Sequence, residues 1–166
     1  MGQPATAEEI AGWDIDVAAD GTGLPPGSGT VQQGEELFAR LGAKCHGAKG
    51  EGGEGGPALV GGIGSLNTDA PVKTVGSYWP SAPTLFDYIR RAMPADNPKS
   101  LSPDEVYALC AFILHLNEIV PEDAVMDAQS LPQVVMPNYA GFTSPDPRPD
   151  VFNSAADVSE NLSASD

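Results

Sequence analysis

The sequence predicts a small all-α domain with extended segments at both ends. Three stretches place apolar residues at helical spacing. The 19 Gly and 16 Pro break the chain between those stretches. No run alternates apolar and polar residues over the length a half-buried strand needs, so no strand is expected.

Residues 1–30 read as an extended, acidic N-terminal segment. The first helix is expected over 31–42, "VQQGEELFARLG", where Leu37, Phe38 and Leu41 share one face. It runs into Cys45 and His46, and "GAKGEGGEGGPALVGGIG" follows. That segment holds too much glycine for a helix or a central strand, so it must wrap something or lie exposed. A second helix is expected over 83–92, with Leu85, Phe86 and Ile89 inward and Arg90 and Arg91 at its end, where cations suit the helix dipole. It stops at Met93, which precedes Pro94. The third begins with Ser102 as N-cap, Pro103 at the first position and Glu105 closing a capping box. Its apolar face is Val106, Leu109, Cys110, Ile113 and Leu114. The helical core thus spans 31–120. Residues 121–152 are proline-punctuated and read as an extended strap, and 153–166 as a small, polar, disordered tail. Part of the strap, including "QVVMPNYAGF", is expected to grip a partner, an expectation to test by deleting 133–152.

One domain fits 166 residues. The formal net charge of −15 belongs mainly to the two ends, because 31–117 is close to neutral. So acidic a chain is a poor partner for nucleic acid or an anionic membrane surface. Nothing in it is apolar for long enough to span a bilayer. The start "MGQPATAEEIAGWD" has neither the basic nor the apolar part of a signal peptide, which suits a cytoplasmic chain or the mature form of an exported one. Two cysteines are too few for a disulfide scaffold.

Three short helices bury little apolar surface, and long glycine loops cost ordering entropy without adding side chains. A flat apolar cofactor in the centre would supply the missing core. Porphyrin iron takes two axial ligands on opposite faces, and imidazole with thioether is a recurring pair. His46 directly follows a Cys, as a proximal ligand does when the Cys is bonded to a haem vinyl. Met93, after one helix and before the last, suits the distal side; Met126 and Met136 are rivals in the strap. The Cys-x-x-Cys-His attachment pattern would require Cys at position 42, and this chain has Gly42.

The series "GEELFARLGAKCHGAKGEGG", "TVGSYWPSAPTLFDYIRRAMP" and "SLSPDEVYALCAFILHLNEIVPEDAVMDAQSLPQVVMPNYAGF" resembles the c-type cytochrome subunit of bacterial sulfane and sulfite dehydrogenases, over roughly residues 10–142. The resemblance implies a class I cytochrome c fold of three to four short helices around one covalently attached haem c. It implies His46 and Met93 as axial ligands and Cys45 as a thioether. The family's partner is a molybdenum-cofactor dehydrogenase subunit that oxidises a sulfur substrate in the periplasm; a downstream cytochrome takes the electrons. Family members generally carry a second haem domain, so this chain reads as the first only.

Several readings stand open at this stage. With Gly42, attachment runs through Cys45 alone, through Cys45 and Cys110 of the last helix, or through axial bonds only. Tyr78 and Trp79 either wall the haem or pack in the core. Arg90 and Arg91 either offset propionate charge or sit solvated at a helix end. Lys44 and Lys49 are candidates for partner docking. His115 reads as a surface or cap histidine. Competing functions are a stand-alone cytochrome serving another redox partner, a zinc module of Cys45, His46, Cys110 and His115, a module with a Cys45–Cys110 disulfide, and an enzyme using Cys45 as nucleophile.

Overall fold

The computed structural model describes residues 2–143. In chain order these form α1 (Ala7–Ala11), β1 (Ser28–Thr30), α2 (Val31–Leu41), α3 (Ala43–His46), α4 (Val75–Tyr78), α5 (Ala82–Ala92), α6 (Pro103–Leu116), β2 (Val125–Asp127) and a 3-10 turn at Leu131–Gln133.

The helices begin where side chains can satisfy their free backbone N–H groups. Thr30 with Gln33 forms a reciprocal capping box at α2, Thr74 with Ser77 at α4, and Ser102 with Glu105 at α6. Pro103 takes the first position of α6, where its missing N–H costs nothing. At the far end of α5, Met93 has turned to an extended ψ of 145°, as the residue before a proline tends to do.

The core is organised by the crossing of α2 and α6. A Cβ at Gly34 would collide with the Ala108 carbonyl and stand 2.6 Å from the Phe112 Cβ, so the two backbones meet as closely as glycine permits. One turn further, the Phe38 and Phe112 rings lie 5.4 Å apart. Residues Val106 to Leu114 of α6 are all buried, which makes this the central helix of the domain. α2 covers one side. α5 covers another, with Phe86 and Tyr107 rings 4.5 Å apart. Met126, Leu131 and Met136, from beyond α6, close the rest of the core. Each such side chain contributes about 1.5–3 kcal/mol by leaving water.

The expectation of no strands is overturned. β1 and β2 pair antiparallel, with Gly29 opposite Met126. "SGT" and "VMD" are too short to show a period of two. Their pairing is imposed by α6: Gly29 lies so close to it that a Cβ would stand 2.7 Å from the Ala108 Cβ.

The N-terminal segment lies along α5 and α6, held by groups far away in sequence. The Val17 N–H donates to Asp87 Oδ1 (3.1 Å), Arg90 Nη1 to the Ile15 carbonyl (3.2 Å) and Ser81 Oγ to the Ala19 carbonyl (2.8 Å). Arg91 pairs with Asp87 and, at 3.6 Å, with Asp16. At the other end, Asn138 Nδ2 donates to the Tyr78 carbonyl (2.7 Å) and the Phe142 ring meets Tyr78 edge-on at 5.2 Å. Within this segment buried Met136 sits next to Val135, which is 77% exposed, so deleting 133–152 would also remove a core side chain. The end of the expected strap, from 144, and the expected tail at 153–166 lie outside the described residues.

Two outcomes follow from this packing. Gly34→Val must push α2 off α6, and is expected to lower stability by about 1–3 kcal/mol in a denaturant titration. The Tyr107 hydroxyl donates to the Pro25 carbonyl at 2.8 Å, and burial, with smaller contributions from Cys110 and Asp127, pushes its pKa up to about 12. An unfolded tyrosine loses its proton near pH 10, so the contribution of Tyr107 is complete below about pH 10 and is lost as pH rises through about 12. Unfolding followed from pH 8 to 12 should show that decline weakened in Tyr107→Phe, which costs about 1 kcal/mol at neutral pH.

Candidate functional site

α2 ends at Leu41, Gly42 caps it, and the single turn of α3 delivers Cys45 and His46 side by side. His46 Nδ1 lies 2.8 Å from the Pro57 carbonyl oxygen. A carbonyl only accepts, so Nδ1 carries the proton and Nε2 keeps its lone pair. That is the tautomer a metal-binding imidazole requires, and the backbone partner also fixes the ring's orientation.

The glycine loop wraps this same turn. Its Gly52 N–H donates to the His46 carbonyl at 2.7 Å. A Cβ on Gly55 would stand 3.0 Å from Cys45 Sγ, and one on Gly56 2.7 Å from His46 Cε1. Any side chain at these two positions would displace the thiol or the imidazole. The glycines that rule out regular structure here are therefore the ones that let the loop close onto the Cys-His pair.

Met93 caps α5 and is half-buried against the core, whereas Met126 and Met136 are 5% and 1% exposed and belong to the core. Tyr78 and Trp79 are both half-buried. The Lys73 ammonium stands 5.0 Å over the Tyr78 ring, and Trp79 meets Tyr88 edge-on at 5.7 Å. Arg90 and Arg91 are engaged by the N-terminal segment, as described above. Lys44 and Lys49 are exposed, and among the described residues neither forms an ion pair.

The competing constellations do not assemble. Cys45 and Cys110 are both free thiols, so no disulfide joins them. Among the described residues no three His, Cys, Asp or Glu side chains come together as a metal site, which disposes of the zinc set. His115 Nδ1 donates to the Val120 carbonyl at 3.1 Å and staples the end of α6 to the turn beyond it. His46 has its Nδ1 committed to Pro57, and among the described residues no third side chain orients the pair for nucleophilic chemistry.

Pro57 escaped the sequence reading because its contribution is a backbone carbonyl, which carries no side-chain signature. Asn117 escaped it as well. Its Nδ2 donates to the Leu59 carbonyl (3.1 Å) and the Ile113 carbonyl (2.9 Å), tying the glycine-rich loop to the end of α6. Gly76 packs directly on that side chain.

The donors fit a haem attached at a helix end: a thiol, a neighbouring imidazole with Nε2 free, and a half-buried thioether at the end of another helix. This is the donor set of a c-type cytochrome in a small helical fold. A cytochrome c family model matches residues 31–117, and the chain belongs to the cytochrome c family. Covalently bound haem c comes with that membership. Among solved structures, the sulfane dehydrogenase SoxCD from Paracoccus pantotrophus is similar to this chain at 47% identity and a TM-score of 0.83, over 90% of this chain and 73% of that one. No curated protein matches it. The class I cytochrome c fold and the sulfane dehydrogenase resemblance read from the sequence both stand.

The contact between Gly56 and the imidazole is open to test. Gly56→Ala should displace the His46 ring and cost about 1–3 kcal/mol of stability. Thermal unfolding of the holoprotein would show the loss, and its absorption spectrum would show the disturbed ligand.

Proposed function

We propose that this chain is the electron-transfer haem subunit of a sulfane dehydrogenase. In this reading it accepts electrons from a molybdenum-cofactor subunit in the periplasm and passes them to a downstream cytochrome. The carrying observation is the 47% identity to SoxCD over 90% of this chain, joined to an imidazole already held in the tautomer that binds iron.

When bound, the haem supplies a one-electron redox centre. Cys45 would hold it by a thioether, keeping it next to His46. His46 Nε2 and the Met93 sulfur would be its iron-binding donors. The Pro57 carbonyl accepts from Nδ1–H and raises the basicity of the ligating nitrogen. The choice among methionines is supported by burial, because Met126 and Met136 fill the core while Met93 stands half-buried at the end of α5. Were both donors to bind the iron, no position would be left on it for substrate, and the sulfur chemistry would fall to the partner subunit. Lys44 and Lys49 flank the site and act on encounter rate more than on affinity.

Met ligation raises a haem's reduction potential relative to most other axial donors. Met93→Ala is therefore expected to lower the potential in a spectroelectrochemical titration, while Met126→Leu leaves it in place. An unchanged potential in Met93→Ala would remove Met93 from the iron.

A further inference from the structure

We infer that the haem is held by one thioether only, through Cys45, with one vinyl left intact because the chain's other cysteine, Cys110, is enclosed in the core. The inference rests on the reading of Cys45 and His46 as the haem site, and goes beyond it in fixing the number of covalent bonds.

Position 42 lies one helical turn after Phe38. A Cβ there would stand 2.6 Å from Phe38 Cδ2 and 2.7 Å from Cε2. Phe38 is 3% exposed and packs against Phe112 at the α2–α6 crossing. Gly42 itself has no thiol, so a second thioether would have to come from the chain's other cysteine, Cys110.

Cys110 cannot take over the second attachment. Its surface is 0% exposed. It lies in the buried stretch of α6, among the residues of the core cluster. The chain's own atoms surround the sulfur on every side, so a vinyl could reach it only by opening the core. Cys45, by contrast, is partly exposed at the end of α3.

The chemistry balances with one thiol. Addition of Cys45 S–H across a vinyl C=C forms one C–S bond and breaks the S–H bond and the C=C π bond. The proton goes to the terminal vinyl carbon. No atom leaves, and no oxidant or reductant is consumed.

The test uses the full chain, exported in a bacterium that matures c-type cytochromes and purified with its haem. Acid-acetone extraction, the pyridine haemochrome spectrum and alkylation of the denatured protein with iodoacetamide are read together. Haem should resist extraction, and its α-band should fall between the positions of b-type and two-thioether haem. Peptide masses should show Cys110 alkylated and Cys45 not. Cys110→Ala should leave the α-band where it is. An α-band at the two-thioether position, with Cys110 protected from alkylation, would overturn the inference and leave the cytochrome reading intact. Haem that extracts completely, or is missing from the start, would instead overturn the assignment of Cys45 and His46 as its site.

Discussion

The structure depends on one close contact: Gly34 of α2 laid against Ala108 and Phe112 of α6. Two helices approach this closely only where one of them lacks a side chain. The contact fixes the line of α2, and with it the places of Phe38, Gly42 and the turn that carries Cys45 and His46. It also leaves α6 enclosed, so that α5 and the short ribbon pack on a common central helix. A site built at the end of α2 inherits its position from a contact two turns earlier.

Around that site the chain uses backbone more than side chains. The Pro57 carbonyl sets the imidazole tautomer, and loop glycines come up against the thiol and the ring. Backbone groups suit this work because their positions follow from chain path and lose no rotamer freedom. The cost is a loop with few apolar side chains, stabilised by what it closes on. The Asn117 amide helps to hold it, with donors to Leu59 and to the last turn of α6.

Much of this was legible in the sequence. The three principal helices were, because period, caps and proline positions agree for each, and "SPDE" marks the start of α6 without ambiguity. The Cys-His pair was legible because two reactive side chains stand together. The ribbon was not, since three residues per strand carry no period and the pairing follows from α6. Arg90 and Arg91 read either as charge for a cofactor's carboxylates or as solvated helix-end cations, and nothing in their surroundings in the sequence showed that they also clamp a segment some 75 residues earlier. Local sequence cannot show a partner at that separation. Met126 and Met136 read as surface strap for a similar reason: prolines nearby hid the fact that their side chains turn inward.

The enclosure of α6 bears on how the molecule opens. Its amide hydrogens can exchange with water only when α2, α5 and the C-terminal segment let go together, which is nearly the whole fold. The glycine loop over Cys45 and His46 has few buried apolar side chains and can part from the rest at much lower free energy. Cys45 and His46 thus sit at a boundary between a slow-exchanging centre and a readily opened cover. Access to them is decided by the cover alone, without unfolding the centre that keeps them in place.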